Sequence, residues 1–359
     1  MFLITTRLQM NGRSERCTSS KPVLWFLILC FFSFSACEEF LPEPGLALDR
    51  ASCADKELME KAQTYFNPLP SVKWAGSEAE SWRVRLGEKL FKEVLLSQNK
   101  TQSCNSCHPL DAYGVDGKRF SKGAFGEEGT RNTPTVYNAV FNLAQFWDGR
   151  AADLEEQALF PIFNEREMAI RDSAVLLGRL QEQEVYRGLF AKAFPDAEQP
   201  LSMSNLAKAL AAFEETLLTP SRFDRYLLGD EQALSEKEKK GLAYFLDLGC
   251  SPCHSGTGVG GSMYQPFGVV GYYWDYTGSE MRDEGRYTFT GDPSERYWFK
   301  VPSLRNVAKT APYFHDGSVS DLAKAVQAMA SAQLNRPLEK EELEALLAFL
   351  ESLTGELPD

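Results

Sequence analysis

The chain has 359 residues, 43% of them hydrophobic and 25% charged, enough apolar content for one large globular domain or two of ordinary size. A formal net charge of −12 and a pI near 5.0 leave no basic face of the kind nucleic acid requires, so nucleic acid is excluded as a partner. An acidic surface serves solubility and suits a small basic protein partner.

The N-terminus differs from the body. Arg7, Arg13, Arg16 and Lys21 precede an apolar run over residues 23–34, which leads through Ser-Ala to Cys37. A basic region, a short apolar core and small residues before a cleavage point read as an export signal over residues 1–36. The run is short for a membrane span. The Ser-Ala-Cys ending favours a lipoprotein signal over an ordinary one, with Cys37 as the anchoring residue. The expected location is the periplasm, with the chain lipid-anchored to a membrane. Residues 37–54 read as a linker.

Further along, RLGEKLFKE (residues 85–93) sets apolar residues at helical spacing around a glycine. The pair Cys104 and Cys107 follows, with His108 directly after it. The stretch from residue 214 to 241 reads as a connection: Pro220 closes one helix, and Ser235 with Glu238 opens the next as a capping box. KKGLAYFLDLG (residues 239–249) repeats the first helical pattern and leads to a second pair, Cys250 and Cys253, followed by His254. Residues 256–302 are crowded with Gly, Pro and aromatic residues and read as loop around whatever the second pair holds. Two closing helices follow, the last with an apolar face of Leu343, Leu346, Leu347 and Leu350.

Two of the chain's three histidines thus directly follow a C-x-x-C. That is the c-type haem attachment signature. Two thiols on one turn form thioethers with both vinyl groups of a haem, and the next residue brings its imidazole to the iron. A zinc site built from the four thiols is the competing explanation, but zinc does not call for a histidine after each pair. Of the eight cysteines, Cys17 and Cys30 fall in the signal and Cys53 is left single, so no disulfide framework is available. The expected fold is mainly α: two cytochrome c-like haem domains, 55–220 and 221–359, with long loops and little β structure.

In these motifs the sequence resembles the bacterial di-haem cytochrome c peroxidases. The resemblance covers about residues 86–355 and rests on SCNSCHPL, GTRNTPTVYNAVFNLAQFWDGRAADLEEQA, GCSPCHSG, KVPSLRNVAKTAPYFHDGS and DLAKAVQAM, in that order. It implies two covalently bound haem c groups and reduction of hydrogen peroxide to water, with a small c-type cytochrome or copper protein as electron donor. It implies that the His108 haem reacts with peroxide, with Gln145 and Glu155 in its distal pocket. Cleaving an O–O bond needs a group that takes a proton from one oxygen and returns it to the other. A carboxyl enclosed in an apolar pocket can do both, and an amide can orient peroxide without changing charge.

The resemblance further implies that the His254 haem receives electrons and has a methionine as its sixth ligand. Met263, Met281 and Met329 lie downstream, and the family spacing selects Met329. A thioether ligand raises a haem's potential. His315 matches a family histidine near the domain interface and reads as a hydrogen-bonding residue near the haem edges. The Asn132 side chain and the carbonyls of Thr310 and Pro312 match a calcium site. A homodimer is also among the expectations. Relatives place a tryptophan between the haems; Tyr137 is the nearest aromatic within NTPTVYNA, and Trp147 reads as core.

Many relatives also carry a loop histidine that caps the first iron in the resting state. Here that position is Ala124, which has no donor atom, so the iron is expected to stay open. Two other functions compete. One is a di-haem oxidase of a protein substrate, of the cofactor-maturation type; the other is a non-enzymatic di-haem electron carrier.

Overall fold

The computed structural model describes residues 44–70 and 76–358. The export signal, Cys37 and the proposed anchor lie outside them. The chain divides into two compact units at Glu57 and Leu58. The described part of the first is the opening of helix α1 (Pro44–Gln63), so helix occupies much of the stretch expected as a linker. The rest of α1 and all that follows belong to the second unit.

That second unit is mostly helical. In chain order it contains α2 (Glu78–Phe91), α3 (Cys104–Cys107), α4 (Leu154–Phe163), α5 (Ser173–Glu182), α6 (Glu184–Ala193), α7 (Met203–Glu214), α8 (Arg222–Leu227) and α9 (Glu236–Asp247). Then come strand β1 (Tyr264–Pro266), α10 (Tyr273–Thr277), α11 (Tyr287–Thr290), β2 (Trp298–Lys300), α12 (Leu322–Leu334) and α13 (Lys340–Ser352). The strands pair antiparallel with Tyr264 opposite Lys300, the one sheet among the described residues. Long irregular segments join the helices, as the sequence predicts.

Local chemistry sets the helix ends. Ser235 accepts from the Glu238 amide while the Glu238 carboxylate returns to Ser235, so the predicted capping box opens α9. Ser77 and Glu80 do the same for α2. The helix before Pro220 ends earlier than predicted, at Glu214. There the Thr216 hydroxyl takes the Phe213 carbonyl at 2.7 Å, and the chain turns away before the proline is reached.

Two apolar cores form within this unit. Leu86, Leu90 and Phe91 of α2 pack on Leu206, Leu210 and Phe213 of α7 in the first. Phe245 of α9, Phe349 of α13 and Phe223 of α8 dominate the second. Residues 58–66, grouped by sequence with the first haem region, pack into the second core instead, with Phe66 edge-on to Phe223 at 5.3 Å.

The two cores share one device. A Cβ on Gly87 of α2 would sit 1.9 Å from the Ala209 carbonyl oxygen and 2.7 Å from Phe213 Cβ of α7. A Cβ on Gly241 of α9 would sit 1.9 Å from the Ala345 carbonyl oxygen and 2.8 Å from Phe349 Cβ of α13. In each region a glycine lets the helix before the cysteine pair cross a later helix at backbone contact. A buried ion pair ties the second core to the following loop: Arg305, 1% exposed, grips both oxygens of Asp224 at 2.9 Å. Burial pushes the Asp224 carboxyl up, but the Arg305 charge and the hydrogen bonds outweigh it and leave the group below its ordinary value.

Candidate active site

The second cysteine pair opens on a cavity of about 340 Å³, within the range of ligand sites. Past the end of α9 the chain makes one tight turn. The His254 amide donates to the Cys250 carbonyl at 3.0 Å, which brings both thiols and the imidazole to the cavity wall. Burial lowers the His254 pKa to about 4, so the imidazole is neutral, as an iron ligand must be. Burial raises Cys250 to about 11.

Met329 of α12 lines the same cavity as His254, whereas Met263 and Met281 do not. Met263 sulfur instead takes a contact from Gln265, and the Met281 carbonyl accepts from Tyr273. Asn132, Thr310 and Pro312 all reach this wall. The Asn132 amide nitrogen donates to the Lys118 carbonyl at 2.9 Å, and its Oδ1 accepts no hydrogen bond from the described residues. Trp147, expected in the core, lines the cavity, with its indole N–H donating to the Asn132 carbonyl at 2.8 Å. Beside it the half-buried Arg131 joins Asp148 and Asp283 at 2.6 Å each, and Arg150 also pairs with Asp148 at 2.9 Å.

His315 is 1% exposed, stacked on Phe299 at 4.1 Å and edge-on to Tyr273 at 4.9 Å. Burial holds its pKa at about 4 despite the nearby Asp316 and Asp283 carboxylates. Its Nε2 has no hydrogen-bond partner. It sits in an aromatic cage at the cavity wall, with Nε2 3.9 Å from an Asp283 carboxylate oxygen.

The first cysteine pair lies on α3. The His108 amide donates to the Cys104 carbonyl at 2.9 Å, and His108 Nδ1 lies 3.1 Å from the Gly114 carbonyl. With Nδ1 donating there, Nε2 is the free ligand atom. Burial lowers the His108 pKa, opposed by that carbonyl. Burial also raises both thiols, Cys104 further through Glu214.

Glu155 is exposed in the first turn of α4, whose buried face is Leu154, Ala158 and Ile162. Gln145 is buried, but its amide donates to the Ala139 carbonyl at 3.1 Å, a main-chain bond that holds its own loop. Besides Glu214, buried beside Cys104 and raised to about 8 by burial, a second carboxyl near the first cysteine pair is Glu167. Burial raises its pKa, Arg150 and an Asn164 hydrogen bond moderate the rise, and its charge is felt at both Cys104 and Cys107.

Glu167 also fixes the loop that carries Ala124. The Ala124 amide donates to the Glu167 carbonyl at 2.7 Å, and Asn99 Nδ2 donates to the Ala124 carbonyl. Phe125 at the loop tip is 61% exposed.

Among the described residues no three or more His, Cys, Asp or Glu converge on one metal position, so the four thiols do not make a zinc tetrathiolate. Each pair instead stands with its own half-buried histidine, its pKa lowered by burial, which is the donor set of c-type haem. The fold and these sites define a protein with two c-type haem sites in one mainly α chain. A model of the di-haem cytochrome c peroxidase family matches residues 81–232. The cytochrome c551 peroxidase of Pseudomonas aeruginosa is 45% identical over 306 residues, 84% of this chain and 87% of that protein. The methylamine utilization protein MauG of Methylophilus methylotrophus is 36% identical over 291 residues, 76% of this chain and 82% of that protein. Among solved structures, a MauG-like protein associated with microbial copper homeostasis superposes with a TM-score of 0.68 at 31% identity, covering 81% of this chain and 93% of that one. The chain belongs to the di-haem cytochrome c peroxidase family, whose members carry two haem c groups.

Sequence reasoning did not single out Glu167, and it placed Trp147 in the core, where Trp147 packs on the Phe267, Tyr273 and Phe299 cluster while also lining the cavity. The helical spacing of α4 already places Glu155 off the buried face. Nothing local marks Glu167, whose surroundings come from segments distant in sequence.

Proposed function

We propose that this protein reduces hydrogen peroxide to water at the haem held by Cys104, Cys107 and His108, with electrons arriving at the haem held by Cys250, Cys253, His254 and Met329. When bound, the two haems supply an iron that reacts with peroxide and a store for the electron that completes its reduction. The donor is a small cytochrome or copper protein. The observation that carries this reading is the pairing of His254 with Met329 on one cavity, beside a first site whose neighbouring loop offers no histidine.

The chain's own part is proton handling and positioning. The Gly114 carbonyl orients His108 through Nδ1. Glu167, raised by burial, is suited to accept a proton from the near oxygen of peroxide and return it to the far one. Trp147 joins the segment after the first haem to the cavity of the second and is the aromatic placed for electron passage. Asn132 Oδ1 with the carbonyls of Thr310 and Pro312 is a donor set for calcium. The export signal and Cys37 belong to this proposal as a periplasmic, lipid-anchored location. No helix of the described residues is long and apolar enough to cross a membrane.

The likeness to MauG supports one other reading, oxidation of a protein substrate. Steady-state peroxide consumption coupled to a reduced small cytochrome separates the two. Rapid donor oxidation on adding peroxide supports the peroxidase; peroxide reactivity without donor oxidation points to the other enzyme.

A further inference from the structure

Lys300, at the end of β2, is 8% exposed and lines the cavity of the second cysteine pair. Its amide donates to the Trp147 carbonyl at 2.8 Å, which fixes the backbone at the cavity edge. Its ammonium has no ion-pair or hydrogen-bond partner among the described residues. Burial lowers its pKa to about 8, and no anion offsets that cost. The cavity wall contains no Asp or Glu, and its two histidines are neutral. In the adjoining network, Asp148 and Asp283 are already held by Arg131 and Arg150. A buried lysine without an anion is unfavourable, so the missing charge must come with what fills the cavity.

We propose that Lys300 anchors a propionate of the haem attached at Cys250 and Cys253, forming a buried ion pair that keeps this haem's reduction potential high. The inference rests on the two-haem reading above. Without the ammonium, an uncompensated carboxylate beside the iron favours the ferric, more positive state.

The test uses the full-length protein, matured with haem, as wild type, Lys300→Gln and Lys300→Arg. Haem content is measured first, then the potential of the low-spin haem is titrated. Two haems per chain with a potential in Lys300→Gln lower by the equivalent of a tenfold change in the reduced-to-oxidised ratio, about 59 mV for one electron, and restored in Lys300→Arg, is the expected result. Two haems with an unchanged potential, or a shift confined to the other haem, overturns the role of Lys300. Fewer than two haems in the wild type overturns the two-haem reading instead. Should Lys300→Gln fail to load, the propionate bending band in resonance Raman spectra of the first-reduced haem is compared between wild type and Lys300→Arg. A shifted band supports the pair, since guanidinium binds carboxylate differently from ammonium; an identical band overturns it.

Discussion

At the scale of single residues, two glutamates near the first cysteine pair have opposite fates. Glu155 sits one position beyond Leu154 in a helix that buries every fourth residue, so it faces water. Glu167 sits between Asn164 and the buried Met168, and the Ala124 loop closes over its backbone. Glu167→Gln should keep both haems bound while peroxide turnover falls by roughly two orders of magnitude or more. Glu155→Gln should stay close to wild type. Steady-state assays of both variants check the assignment, and the reverse ranking would return the proton to Glu155. Met329 makes its own prediction. Met329→His should lower the potential of the second haem, because a thioether favours the reduced iron more than an imidazole does; redox titration reads it. The haem-attachment residues were legible because covalent attachment confines two thiols and one imidazole to five consecutive positions. Glu167 and Lys300 were not, because enclosure is made by segments far apart in the chain.

At the scale of elements, each region is built on a helix crossing without room for a methyl group. Gly241→Ala would press a Cβ against the Ala345 carbonyl oxygen, a backbone atom that cannot rotate aside. The helices must separate, which costs about 1–3 kcal/mol or more. Chemical denaturation of the matured protein should show the loss, and Gly178→Ala, at an open position on exposed α5 surface, should not. An equal response from both would mean that the crossing is looser than its geometry implies. The sequence displays both glycines within a repeated helical pattern, so the elements and their kinship were legible. Their crossing partners, α7 and α13, could not be paired with them by spacing alone. The largely irregular course of residues 256–302 was also legible from its Gly, Pro and aromatic content, but the β1–β2 pair, α10 and α11 within it were not. Nor was its arrangement around His315, since the stacking of Phe299 and the edge-on packing of Tyr273 on that ring depend on tertiary packing.

At the scale of the whole molecule, the proposal makes the first haem site open to ligand in the oxidised state. The loop around Ala124 is tied to Glu167 by its backbone and carries no histidine. On this proposal no capped population awaits release, so reduction of the second haem should not be needed to admit peroxide. Sequence alone exposes this point, because a missing donor atom requires no coordinates to recognise. The structure adds the anchoring of the loop. The most direct measurement is cyanide binding to the fully oxidised, matured protein, followed by its visible spectrum without any reductant. Prompt conversion of a high-spin ferric signal to a low-spin cyanide complex, at a rate unchanged by prior one-electron reduction, is the expected result. A purely low-spin oxidised protein that ignores cyanide until an electron is supplied would contradict it.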